Sequence, residues 1–160
     1  MAPASGDLSL LDDPVAQELL GSAVPARLAY IWPDGTPRVV PIWFHWDGSE
    51  VVMGSPADAT KVSAISGNPN VAVTIDANDW PYHVLLIRGT AHVEIIDGVP
   101  DEYAAAARRY FGEEQGSAWA GQVSQIMDQM ARIAVRPEQV TILDFQTRFP
   151  EALARRMGAA

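Results

Sequence analysis

The sequence predicts a mainly β fold with peripheral helices, an antiparallel six-stranded barrel that is either closed or split. Three observations carry the prediction. Two Asp-Gly pairs, Asp34-Gly35 and Asp47-Gly48, separate runs of alternating aromatic and β-branched residues, the pattern of tight hairpins. Such turns join antiparallel strands, because parallel neighbours need a crossover of about a dozen residues or more. Helical patterns are short, and the two longest fall together between the fifth and sixth strands. A chain of 160 residues makes one domain of ordinary size, assigned to 1–160 with a core over 22–145 and a C-terminal helix over 149–158.

Taken in order, the chain opens with a short helix: Asp12 or Asp13 caps it, Pro14 suits its first position, and Gly21 ends it. From Pro25 the run ARLAYIW is the first strand. After Pro33-Asp34-Gly35, TPRVVPIWFHW is the second, and the third ends at Met53-Gly54-Ser55, which makes a three-stranded meander. TKVSAISG, from Thr60 to Gly67, is a short helix capped by Asp58 or Thr60, with Val62 and Ile65 inward. Asn68-Pro69 turns the chain into NVAVTID, the fourth strand. The fifth, Tyr82 to Ile96, is long enough to wrap from one side of a barrel to the other, and Gly89 marks a bulge or a corner. DEYAAAARRYFG is an alanine-rich helix with acid first, base last and Gly112 after it. A second helix is expected over about 117–130. The sixth strand, RIAVRPEQVTILDF, follows with a bulge or edge at Arg136-Pro137, and Pro150 starts the closing helix.

Composition excludes several functions. The formal net charge of −9 is spread along the chain and argues against a nucleic-acid surface, which needs clustered Lys and Arg against phosphates. No apolar run approaches the roughly 20 residues of a membrane helix, and MAPASGDLSLLDD lacks the basic-then-apolar layout of a leader, so the expected compartment is the cytoplasm. Without cysteine there are no disulfides, thiolate metal sites or cysteine nucleophiles.

There is no Gly-x-x-x-x-Gly-Lys, no Gly-x-Gly-x-x-Gly and no nucleophile elbow. His45, His83 and His92 fall in predicted strands without the close spacing of a helical metal motif, and the paired carboxylates sit at helix ends; no catalytic residue and no metal site are assigned. One feature is left. Lys61 is the only lysine, set at the end of a Ser/Pro/Ala/Asp/Thr loop where a helix starts. Ser55, Thr60 and Lys61 bring hydroxyls, free backbone N–H groups and an ammonium together, which suits a phosphate. The preceding strand carries Arg38, Val40, Pro41 and Trp43, and Pro41 has no N–H, which leaves neighbouring backbone at an edge or open to a flat heterocycle. Trp43 and Trp46 either present indoles to such a ring from one face or pack in a core or interface.

The stretches PARLAYIWPDGTPRVVPIWFHWDGSEVVMGS, TKVSAISGNPNVAVTID and PYHVLLIRGTAHVE resemble the pyridoxamine 5'-phosphate oxidase-like flavin and deazaflavin oxidoreductases with the split-barrel fold. The resemblance covers about residues 20–96, and RIAVRPEQVTILDF with the last helix fits less specifically. It implies a homodimer with cofactor sites at the subunit interface, binding FMN in some branches and the deazaflavin coenzyme F-420 in others. It also implies hydride exchange with a small organic substrate, with no nucleic-acid or membrane partner. By this resemblance Arg38 falls at the phosphate-gripping strand position and Lys61 at the second member of a cationic loop pair. Thr60 replaces the first member, and Trp43 stands where the strand often ends in lysine. These departures, with the VVPIWF run, are closer to the deazaflavin-using or unassigned branch, so coenzyme F-420 is the expected cofactor and FMN the alternative. Trp80 and Tyr82 flank Pro81 in a loop that would grip a substrate or plug the dimer interface, and Arg88 would either reach across the dimer or pair across strands. The split barrel also hosts non-catalytic flavin or haem carriers and cofactor-free scaffolds.

Overall fold

The computed structural model describes residues 6–158. Seven strands form one antiparallel sheet: β1 (Ala26–Ile31), β2 (Pro37–Ile42), β3 (His45–Trp46), β4 (Val51–Pro56), β5 (Asn70–Asp76), β6 (Val84–Asp97) and β7 (Gln129–Leu143), in the order β2-β1-β5-β6-β7-β4-β3. The strand count and the meander are therefore corrected. The predicted second strand divides at Trp43-Phe44 into β2, which pairs with β1, and β3, which pairs with β4. No ladder joins β2 to β3 among the described residues, so hydrogen bonds do not close the sheet. The two edge strands are nonetheless consecutive in the chain and two residues apart. A fully extended three-residue step covers only about 10 Å, so the sheet curls until its edges nearly meet.

β6 and β7 run the length of the curl. Residues 84–90 of β6 pair with β5, while residues 130–135 of β7 pair with β4, so each long strand belongs to both halves. The ladder between them shifts register between Arg88 and Gly89, where Gly89 faces Pro137 and the predicted bulge is found. A Cβ on Gly89 would stand 2.0 Å from the Arg136 carbonyl oxygen, so only glycine lets the two backbones approach this closely.

Alternation fills the interior. Ala26, Leu28 and Tyr30 of β1, Val71, Val73 and Ile75 of β5, Leu85 and Ile87 of β6, and Ile133, Val135, Val140 and Ile142 of β7 are all buried in one cluster. Each large side chain removed from water in this way contributes about 1.5–3 kcal/mol. Helix α1 (Pro14–Leu20) adds Ala16, Leu19 and Leu20; its cap is Asp13, whose carboxylate accepts from Val15 N at 2.9 Å. Helix α2 (Thr60–Gly67) buries Val62 and Ile65 as expected, but its N-cap is Ala59 and no side chain caps it. Thr60 lies inside the first turn, where its hydroxyl is free of that duty.

Helix α3 (Asp101–Phe111) agrees with the sequence. Helix α4 (Glu113–Ile126) starts earlier than expected and stops before Met130, which is a buried residue of β7. Gly112, at φ 88°, makes the sharp reversal between the two helices. The last helix is α5 (Glu151–Arg156). It follows a turn in which Arg148 bonds the carboxylates of Asp13 at 2.7 Å and Asp144 at 3.1 Å, tying the start of α1 to the end of the sheet.

Candidate functional site

Ser55 lies near the end of β4, Thr60 and Lys61 open the helix that follows it, and Arg38 stands on β2, an edge strand of the sheet. β4 buries Val51 and Met53 in the core, so Ser55, two residues on, also points inward. It is 2% exposed, and its Oγ has no hydrogen-bond partner among the described residues. A buried hydroxyl left unpaired costs about 1–3 kcal/mol, so the position asks for a ligand atom or a water.

After the turn at Ala57-Asp58, α2 places Thr60 exposed and Lys61 partly buried in its first turn. Lys61 forms no hydrogen bond or ion pair among the described residues. Desolvation holds its ammonium below the ordinary lysine range. A partly desolvated cation without a counter-charge attracts an anion more strongly than a solvated one.

β2 is an edge strand whose far side carries no partner strand among the described residues. Arg38, Val40 and Ile42 share one face: Val40 and Ile42 pack against the core, while Arg38 is exposed with its guanidinium 4.9 Å from the Trp32 ring centre. Pro41 is on the other face and exposed, so Val40 and Pro41 do not line the same surface. The β3–β4 ladder ends at His45 and Val52, and no ladder joins Trp43, Phe44 or β2 to β4 among the described residues.

Trp43 is placed elsewhere. Its indole stacks on Tyr110 of α3 at 5.1 Å with 11° between planes and meets Phe111 edge-on at 4.9 Å. Trp46, three residues on, packs against the core instead. The expectation that the two indoles share a face is corrected, since residues three apart on an extended segment point to opposite sides. Tyr103 covers the outer face of β4: a Cβ on Gly54 would stand 2.7 Å from its Cδ2. No signal in the sequence announces this contact, because Gly54 reads only as a weak strand position.

The remaining candidates lie apart from the split. Trp80 and Tyr82 are 67% and 43% exposed and meet edge-on at 5.4 Å, with Phe145 about 6 Å from each ring. No ring contact or hydrogen bond joins this cluster to Arg38, Ser55 or Lys61. Arg88 is exposed on the outer sheet face, between Ala72 and Gln139, and has no cross-strand ion pair among the described residues. Around it lie Val39, Ala29 and Leu86, a broad outer surface with apolar side chains in the open. His83 meets Glu18 at 3.1 Å, and no group of three or more metal-ligating side chains occurs among the described residues. No helix among them is long and apolar enough to cross a membrane.

Comparison with known proteins bears on this arrangement. The family model described as pyridoxamine 5'-phosphate oxidase matches residues 13–144. No curated protein sequence matches the chain. Among solved structures, an F420 reductase is 30% identical, with a TM-score of 0.59 and coverage of 76% of this chain and 91% of that one. A FAD-binding protein from Mesorhizobium loti is 20% identical (TM-score 0.55, 84% and 92% covered). The haem storage protein HutZ from Vibrio cholerae is 16% identical (TM-score 0.59, 81% and 94% covered). The last two share the fold. The matched span of residues 13–144 and the 30% identical structure together show that the chain belongs to the pyridoxamine 5'-phosphate oxidase family.

Proposed function

We propose that the chain binds a phosphate-bearing deazaflavin or flavin in the split between β2 and the β4–α2 turn and acts as an oxidoreductase on a small organic substrate. Coenzyme F-420 is the first choice and FMN the alternative. One observation carries the reading: a buried, unpaired Ser55 hydroxyl and a partly desolvated, unpaired Lys61 stand on either side of one short turn. Nothing inside the described fold satisfies either, and a phosphate satisfies both. Arg38 adds a second cation on the facing wall, and Thr60 a hydroxyl. The likeness to an F420 reductase at 30% identity supports the deazaflavin over FMN.

When bound, such a cofactor supplies the hydride chemistry. The chain's residues would then bind and orient: Lys61, Ser55 and Thr60 would hold the phosphate, and β2, with Val40 and Ile42 packed against the core, would offer its open edge to the ring system. A homodimer fits the same picture, with a second copy set on the outer face around Val39, Leu86 and Arg88. The Trp80–Tyr82 cluster is the proposed contact for substrate.

A second reading, a non-catalytic haem carrier, has one observation in its favour. A groove of about 560 Å³ outside β6–β7 places His92 beside Arg136, an imidazole for iron and a guanidinium for a propionate. Titration of the apo-protein with coenzyme F-420, FMN and haemin, followed by absorbance and fluorescence, separates the readings. Saturable F-420 or FMN binding with subsequent reduction of an electron acceptor supports the oxidoreductase; haemin binding alone refutes it.

A further inference from the structure

Arg109 lies outside the proposed cofactor site, yet it joins both walls of the split. Its Nε donates to Ser22 O at 2.8 Å and its Nη2 donates to Phe44 O. The guanidinium carbon stands 4.7 Å from the Phe44 ring centre and 5.0 Å from that of Tyr110. Tyr110 in turn stacks on Trp43, and its hydroxyl donates to Val24 O at 3.0 Å. Trp43, Tyr110, Arg109 and Phe44 thus form one column of ring, ring, cation and ring.

The position of that column in the chain matters. Trp43 and Phe44 are the only residues between β2 and β3, so they form the closed end of the split. Ser22 and Val24 lead into β1, which carries β2 and hence one wall. Helix α3, from which Arg109 projects, sits on β4 through Tyr103 and Gly54, and so belongs to the other wall. No ladder spans the two edges. Around the curl the walls are joined by the ladders from β2 through β1, β5, β6 and β7 to β4; directly across the split, side chains make the contact.

We infer that Arg109 is a positioning residue that sets the width of the groove between β2 and β4, and with it the affinity for the cofactor proposed above. A planar fork reaching two carbonyls at once from between two rings is something lysine cannot reproduce. The inference rests on the proposed cofactor site, and the experiment keeps the two apart. If a variant holds the competent width only about one tenth of the time, its apparent affinity falls about tenfold with the contacts themselves unchanged.

Arg109→Met and Arg109→Lys are compared with wild type, with Lys61→Ala, and with Arg132→Met. The last cuts the other anchor of α3, the Arg132–Glu102 pair at 2.7 Å, without touching Trp43-Phe44. Melting temperature and F-420 and FMN dissociation constants are measured for each, at temperatures where the folded fractions match. About tenfold weaker binding in both Arg109 variants, with Arg132→Met binding as wild type, supports the inference. Tyr110→Phe, which keeps the stack and loses only the bond to Val24 O, gives a smaller loss in the same direction and serves if the Arg109 variants fail to fold. Unchanged affinity in the Arg109 variants alongside weakened binding in Lys61→Ala overturns the positioning role alone, as does an equal loss in Arg132→Met. Unchanged affinity in Lys61→Ala overturns the site and the inference together.

Discussion

Lys61→Met should move two observables in opposite directions. Methionine keeps the unbranched stem that fills the space beside α2 and removes only the charge. In the apo-protein that charge is a liability, because it is partly desolvated and has no partner among the described residues. Deleting it should stabilise the apo fold by about 1 kcal/mol, the usual scale for relieving one such defect. For a chain of this length that is a rise of about 2–4 °C in Tm. The cofactor-bound state loses a charge-assisted contact worth about 1.5–3 kcal/mol. Affinity for coenzyme F-420 or FMN then falls about 10- to 100-fold. The sign with pH follows from linkage. A lysine whose folded-state pKa is lowered binds its proton more tightly when unfolded, so the penalty is present at neutral pH and fades as pH rises from the folded value towards about 10.4. The stability gap between variant and wild type should therefore close as the solution is made alkaline. Circular dichroism melts of the apo-proteins from neutral to alkaline pH, with fluorescence titrations at neutral pH, measure all three. A fall in both stability and affinity would show that Lys61 is a structural residue. Unchanged affinity would remove it from the site.

Two further outcomes are expected. Arg148→Met leaves the carboxylates of Asp13 and Asp144 without their shared cation and should cost about 3 kcal/mol in urea unfolding. Asp13 is held below the ordinary carboxylate range mainly by its hydrogen bond from Arg148. Burial alone would raise Asp144, but hydrogen bonds from the Thr147 hydroxyl and the N–H groups of Gln146, Thr147 and Arg148 outweigh it. Both carboxylates are lowered on folding, so their contribution is fully present above about pH 4 and is lost as pH falls through the folded values; the variant should show a shallower acid limb, and an identical one would refute the clamp. On the outer face, Leu86→Glu places a charge in each copy of a two-fold interface, removing burial worth about 1.5–3 kcal/mol twice over. Sedimentation should then show monomers where wild type is dimeric, and a dimer of unchanged affinity would exclude this face as the interface.

Much of this fold was legible because its local signals agree with its packing. The Asp47-Gly48 and Asn68-Pro69 turns are local pieces of chain, and NVAVTID alternates because one of its faces is buried, whichever strands flank it. Gly89 was legible as a bulge for a related reason, since a glycine inside an otherwise apolar strand needs a close approach to explain it. The division at Trp43-Phe44 was not legible. PRVVPIWFHW alternates without a break, and only pairing with two different strands, β1 and β4, separates its halves. The start of α4 was misjudged because Glu113 and Glu114 carry no apolar period. Its end was misplaced because Met130 fits a helical period equally well but is claimed by the β6 ladder.

For the site, the candidates were already legible along the chain: a single lysine after a small-residue loop, hydroxyls at Ser55 and Thr60, and an arginine on a strand broken by proline. Chain spacing suffices there, because the β4–α2 turn is local. What each is free to do depends on the folded chain. It left Ser55 and Lys61 unsatisfied, because burial and partners depend on residues far away in sequence. It set the Trp43 indole against Tyr110 and Phe111 of α3, more than sixty residues further along the chain. It also gave Arg109 a place between two walls, since a guanidinium that reads locally as a charge near a helix end acquires a role only when Ser22 and Phe44, 87 and 65 residues away, present their carbonyls to it.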